Sequence, residues 1–411
     1  MAERDQTIHD LSVEATFERI LSRCQPLPAQ PVALAAAAGC VLAEAVIAPH
    51  ALPPFANAGM DGFAVHVADL ADATPQQPVV LPVAGIVQAG DAAPTPLVRG
   101  TTIRIMTGAL LPAGAEAVVP LEDAEALPDA QVAFHQPPSP KRHIRLAGED
   151  VPADTVAIPA GKLLRAAEVG LCCAFGVTTV TVIPRPTVAI ISTGNELLEP
   201  HEPLVPGKIR DANSLALAVA VGEYGAQPYV AGIARDTQAE LSAKLDSALA
   251  AGANLILTSA GASAGDFDVV SALMRAGDRL EVWQVKMKPG RPMLFGTYGG
   301  VPLIGLPGNP ASALIVAELF VKPVIARLRG LPATLPATVP AILDAPQKGS
   351  NRRHYVRAYV SREGNEYHAT TRGIGHGSGS LSTLVRGNAL LVIPEGSGEV
   401  AAGSVVDAIL L

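Results

Sequence analysis

Val301-Pro-Leu-Ile-Gly-Leu-Pro-Gly-Asn-Pro-Ala-Ser312 decides the fold of this chain. A short apolar run ends in a Pro/Gly turn, and Pro310 then opens an apolar stretch to Leu328 of helical length. A strand, a tight turn and a helix in that order make part of a βα unit. The same alternation recurs towards the N-terminus. Thr187 to Ile191 is a branched apolar run, Asn213 to Tyr224 an Ala/Leu helix, and Gln227 to Ile233 strand-like again. Thr237 begins a helix with the Thr-x-x-Glu capping pattern that ends at Glu240. Asn254 to Thr258 and Glu281 to Val285 read as further strands. This alternation predicts an α/β domain with a mainly parallel sheet over residues 186–330.

Further out, the texture changes. Leu11 to Cys24 carries Phe17, Ile20, Leu21 and Cys24 at helical spacing behind Ser12, a suitable N-cap, and Pro26 and Pro28 end it. Residues 50–142 hold short Val/Ile/Leu runs broken by Pro, Gly and Asp, such as Val79 to Val83 and Thr101 to Met106, which predicts a small β domain. His135 to Pro140 reads as a boundary linker. Residues 331–411 return to short strands: His354 to Val360, Leu390 to Ile393 and Val405 to Leu411.

The 411 residues include 38 glycines and 36 prolines, more than the ~12% typical of globular chains and below the ~25–30% of disordered ones. With 49% hydrophobic residues, the chain has material for several cores. A net charge of −8 argues against non-specific nucleic-acid binding. The longest apolar stretch, Pro31 to Ala43, is too short to span a bilayer, and Met1-Ala-Glu-Arg-Asp5 opens no signal peptide. Cys24, Cys40, Cys172 and Cys173 show no metal-ligand spacing, so we expect reduced thiols in a cytoplasmic protein.

Three loops follow strands of the α/β domain: Ser192-Thr-Gly-Asn-Glu196, Ser259-Ala-Gly-Ala-Ser-Ala-Gly-Asp-Phe-Asp268, and Leu306-Pro-Gly-Asn-Pro-Ala-Ser312. Gly and Ser there expose backbone N–H and hydroxyl donors that suit phosphate. One such loop is ordinary βα-turn chemistry; three in one domain, beyond the carboxyl ends of the strands, point to an anionic ligand. None is a Walker loop or a dinucleotide fingerprint. Lys286, Lys288 and Arg291 around Pro289-Gly290 would complement a polyanion. Carboxylates at Asp61, Asp150, Asp236, Asp266 and Asp268 suit Mg²⁺ against phosphate oxygens or, equally, turns and caps.

Pro53-Pro-Phe-Ala-Asn-Ala-Gly-Met-Asp-Gly-Phe-Ala-Val65 resembles a signature of the molybdopterin molybdenumtransferase family, which includes MoeA and the gephyrin E domain. Ile103-Arg-Ile-Met-Thr-Gly-Ala109, Pro112 to Val119, Arg145-x-x-Gly-Glu-Asp150, Ser192 to Glu196, Lys288-Pro-Gly-Arg-Pro292 and Gly305-Leu-Pro-Gly-Asn-Pro-Ala-Ser312 are similar to further motifs in the family's order. Gly379 to Leu384 and Ala389 to Gly396 complete them. The resemblance implies insertion of molybdenum from molybdate into adenylylated molybdopterin, assisted by Mg²⁺, with release of AMP. It implies a homodimer in contact with the adenylylating enzyme and molybdoenzyme clients. It further implies a discontinuous N-terminal domain (residues 1–49 and 143–185) interrupted by the β insertion, and a C-terminal β barrel. By position it assigns catalytic roles to Asp61, Thr107, Asp150, Glu196, Asp236 and Asp268, the last three as metal ligands. Thr193, Gly194, Ser259, Gly261, Ser263, Gly265, Lys288, Arg291, Pro307, Gly308, Asn309, Ser312, Ser378 and Ser380 would bind substrate.

Three positions depart from the family pattern: Ala260 where glycine is usual, Asn195 where aspartate is usual, and Ala58-Gly59 where Ser-Ala is usual. Ala260 adds a methyl where positive φ would favour glycine. The alternative to the transferase is a carrier that holds molybdopterin or finished cofactor without catalysing insertion.

Overall fold

The computed structural model describes residues 8–92, 94–260, 269–276, 280–375, 377 and 379–411. It divides into two compact units. One holds residues up to Ala43, Leu163–Arg165 and Val180–Leu411; the other holds Glu44–Lys162 and Ala166–Thr179.

The first unit contains the α/β sheet. Its strands run in the order Ile8–Leu11, Leu280–Val285, Leu294–Tyr298, Val301–Leu306, Leu255–Ser259, Thr187–Thr193 and Gln227–Ala234. Only Leu294–Tyr298 runs antiparallel to its neighbours, so the sheet is mainly parallel, as the alternation predicts. Val188 to Thr193 and Leu255 to Ser259 are wholly buried, as expected of strands covered on both faces. Register sets Ser192 beside Ser259 and Ser259 beside Leu306. The strands that lead into the three loops predicted to carry chemistry therefore end side by side.

The helices follow their sequence signals with two refinements. Ser12 caps Val13–Ser22 by accepting from Ala15 N–H (3.1 Å). Thr237 accepts from Glu240 N–H (3.3 Å) at the head of Gln238–Ala250, but the Glu240 carboxylate accepts from Arg235 N–H (2.8 Å) instead of closing the box on Thr237. The stretch predicted as one helix from Pro310 to Leu328 is continuous but contains a π-helical turn at Ala317–Val321. Buried Glu318 in that turn accepts from Tyr224 Oη (3.0 Å) and Lys322 Nζ (2.5 Å).

In the same unit, Arg353–Glu363, Glu366–Thr370, Val339–Leu343, Val405–Leu410 and Ala389–Ile393 pair in sequence, and the last returns to the first. They form a closed five-stranded barrel. Leu343, Val356, Ala358, Leu391 and Ala408 fill it. Met287–Lys288 pairs in parallel with Arg353–His354 and ties the barrel to the α/β layer.

The second unit is built on a six-stranded sheet in the order Ala124–Leu127, Gln131–Phe134, Val79–Val87, Thr102–Ile105, Gly62–Val65 and Ala117–Pro120. Phe63 and Phe134 meet edge to face in its core, 6.0 Å between centroids. All four cysteines are free. Among the described residues, no helix is long and apolar enough to cross a membrane.

Candidate active site

The loops at the sheet edge enclose a cavity of about 430 Å³. Thr193, Glu196, Ser259, Ala260, Pro307, Gly308 and Asn309 border it, with Leu197 and Ile209 as apolar faces. Gly194 has φ +150° there, a backbone conformation that residues with a side chain rarely adopt. Thr193 Oγ1 donates to Ser259 O (3.4 Å). Asn195 and Asp236 tie two loops reciprocally. Asn195 N–H donates to Asp236 Oδ2 (3.0 Å), and Asp236 N–H donates to Asn195 Oδ1 (3.2 Å).

Ala260 has φ +75°, the left-handed region that disfavours a side chain. Its methyl packs towards Gly308, where an added Cβ would stand 3.0 Å from it. The positive φ anticipated from the sequence is present, and Gly308 is the residue that leaves room for the methyl.

A second cavity, about 310 Å³, lies against the barrel. Lys288, Pro289 and Gly290 form one side, Ser312 and Asn309 another, and Arg352, His354 and Arg357 a third. Arg357 is only 3% exposed, and among the described residues its Nε and Nη1 have no hydrogen-bond partner. Burial pushes its pKa down. A desolvated, incompletely bonded guanidinium beside a lysine and a second arginine is an oxyanion donor set. Arg291 borders this cavity too, but its guanidinium is engaged by Asp10, Nε to Oδ1 at 3.3 Å and Nη2 to Oδ2 at 3.1 Å. That contact lowers the Asp10 pKa.

Residues 11–176 match the family described as MoeA N-terminal region (domain I and II), residues 189–327 the probable molybdopterin binding domain, and residues 341–411 the MoeA C-terminal region (domain IV). The chain is 41% identical over 392 residues to molybdopterin molybdenumtransferase 2 of Mycobacterium tuberculosis, covering 94% of this chain and 95% of that one. It is 34% identical over 378 residues to the molybdopterin molybdenumtransferase of Nostoc sp., covering 90% and 86%. The chain belongs to the molybdopterin molybdenumtransferase family. A solved molybdopterin biosynthesis MoeA protein from Pyrococcus horikoshii superposes with a TM-score of 0.77 at 28% identity, over 98% of this chain and all of that one. The protein is thus an enzyme of molybdenum cofactor biosynthesis with the MoeA fold.

The positions carried over from the molybdopterin molybdenumtransferase pattern fall into several groups. Thr193, Glu196, Ser259, Pro307, Gly308 and Asn309 meet at the first cavity, and Lys288, Arg291, Pro307, Asn309 and Ser312 at the second. Gly379 comes alongside: a Cβ on it would lie 3.6 Å from Asn309 Oδ1, which brings exposed Ser380 close to that border. Asp61, Thr107 and Asp150 belong to the other unit. There Asp61 is bonded to Thr107, whereas exposed Asp150 donates its N–H to Leu52 O (3.1 Å). Gly261, Ser263, Gly265, Asp268 and Ser378 lie outside the described residues.

Sequence reasoning missed Asn213, Arg352 and Arg357. The signal for Arg357 was a charge within an otherwise apolar strand, Tyr355 to Val360, on the face opposite the barrel-filling Val356, Ala358 and Val360. Among the described residues, no three Asp, Glu, His or Cys side chains converge as a metal cluster. Glu196 borders the first cavity and Asp236 is tied to the adjacent Asn195; both are hard carboxylates of the kind that hold Mg²⁺.

Proposed function

We propose that this transferase inserts molybdenum from molybdate into the dithiolene of adenylylated molybdopterin, with Mg²⁺ and release of AMP. One observation carries the reading: Pro292, Pro307 and Asn309 border both cavities, so a cavity with apolar faces and neutral donors shares a wall with a cationic one. A planar heterocycle with its phosphates suits the first, and a compact dianion the second.

Lys288, Arg352 and Arg357 would neutralise molybdate, with the buried guanidinium contributing most because little water screens it. The Ser312 hydroxyl, 2% exposed, adds a neutral donor. Thr193 and the turn at Pro307-Gly308 would hold the phosphate end of the ligand, leaving its dithiolene towards the shared wall. Glu196 and Asp236 would hold Mg²⁺, which when bound polarises the phosphoanhydride. Asp61, Thr107, Asp150 and Asp268 complete the catalytic set in this reading. The protein acts as a cytoplasmic homodimer, receives its substrate from an adenylylating enzyme and passes its product to molybdoenzymes.

The test is AMP release from adenylylated molybdopterin by the purified protein, with molybdate and Mg²⁺ each present or omitted. Release that needs both is the expected result; tight binding without release refutes the reaction.

A further inference from the structure

Asn213 opens the helix Asn213–Glu223 and borders the first cavity, yet none of the family motifs includes it. Its side-chain amide spends its donors on two cavity loops, giving Nδ2 to Ser259 Oγ (2.5 Å) and to Gly308 O (2.8 Å). Gly308 O can only accept, so the amide cannot turn over without setting two carbonyl oxygens against each other. Oδ1 therefore has one orientation. The residue is 9% exposed, and among the described residues no donor reaches Oδ1. Ser259, 2% exposed, accepts from Asn213, which leaves its hydroxyl proton to donate elsewhere.

An unmet acceptor fixed by its own donors at the cavity wall, next to a hydroxyl oriented as a donor, matches a ligand edge that presents an N–H beside a ring acceptor. Leu197, Ile209 and Pro307 supply the flat apolar faces such a ring needs. We infer that Asn213 and Ser259 read the hydrogen-bonding edge of the ligand's heterocycle: Oδ1 of Asn213 accepts its N–H, and the Ser259 hydroxyl donates to the neighbouring oxygen or nitrogen. The inference rests on the function proposed above. Two rings of that ligand carry the edge, the pterin through N3–H beside C4=O and the adenine through its 6-amino group beside N1.

The experiment is isothermal titration of the full chain with two ligand pairs: 6-hydroxymethylpterin against its 3-methyl derivative, and AMP against N6,N6-dimethyl-AMP. Each methylated partner lacks the N–H. The wild type should prefer one parent by about tenfold, the ordinary worth of one hydrogen bond. The pair that shows the preference identifies the ring. Asn213→Ala should bring that preference below about twofold, and Ser259→Ala should weaken the parent while the Asn213-dependent preference persists.

An Asn213 that only clamps the loops would lose affinity equally for both partners, which overturns the inference. If Asn213→Ala does not fold, by circular dichroism, the wild type decides alone: no preference in either pair is equally fatal. Molybdate-dependent AMP release by a wild type that shows no preference rejects this edge and keeps the transferase reading. A preference without AMP release does the reverse.

Discussion

Thr107 gives both its backbone N–H (2.7 Å) and its hydroxyl (2.6 Å) to a single oxygen of Asp61, Oδ1. The hydroxyl bond first, then the N–H bond, holds the Asp61 pKa below the usual carboxylate value, and Arg104 adds a smaller pull. Because the folded pKa is depressed, its contribution to stability is present above the unfolded value and is lost as pH falls through the folded one. Thr107→Val removes the larger bond, so the Asp61 pKa should rise towards the ordinary carboxylate value. Carbon-detected NMR of the side-chain carboxyl reads the midpoint, and an unmoved midpoint would contradict the assignment.

Asp61→Asn keeps the shape of the side chain and an oxygen for Thr107 while removing the charge. In the proposed reaction it should abolish AMP release and leave ligand affinity within about threefold, since an amide still accepts both bonds. Single-turnover kinetics beside equilibrium binding separate the two. Equal losses would make Asp61 a binding group.

Ala260 and Gly308 should be coupled. Left-handed backbone costs an alanine about 1–2 kcal/mol, and glycine's extra freedom in the unfolded chain offsets about 0.5–1 kcal/mol of the relief. Ala260→Gly should therefore stabilise by about 1 kcal/mol or less. Gly308→Ala should cost about 1–3 kcal/mol in the wild type, and clearly less alongside Ala260→Gly, where the opposing methyl is gone. Urea denaturation of the two single variants and the double variant measures this, and strict additivity would deny the contact.

Arg357→Met should separate stability from function. Among the described residues the buried guanidinium has no partner at Nε and Nη1, so replacing it with an apolar chain of similar length should stabilise by about 1–3 kcal/mol. Molybdate affinity should fall at least about tenfold. A variant that is less stable, or that binds molybdate normally, would show that the guanidinium is satisfied within the protein.

Much of the fold could be read from residue pattern because local signals and tertiary structure agree. Thr187 to Ile191 and Asn254 to Thr258 are branched apolar runs of strand length, and both are buried strands. The π turn at Ala317–Val321 was not legible in the apolar run, and the Tyr224 hydroxyl that bonds Glu318 in it is distant in sequence. The engagement of Arg291 by Asp10 was hidden for the same reason: 281 residues separate them, and a basic residue in a Gly/Pro loop looks free until its partner is located. Arg357 carries the opposite lesson. A buried charge in an otherwise apolar strand conflicts locally with the fold, and such conflicts concentrate where a protein holds a ligand.

The closed barrel has a consequence for how the chain behaves when damaged. Val405–Leu410 sits between Val339–Leu343 and Ala389–Ile393, and each of its neighbours relies on it for backbone partners. Loss of this one segment would unmask two strand edges at once, each able to recruit the corresponding edge of another molecule. Truncation there should give insoluble, cross-paired chains instead of a soluble inactive enzyme.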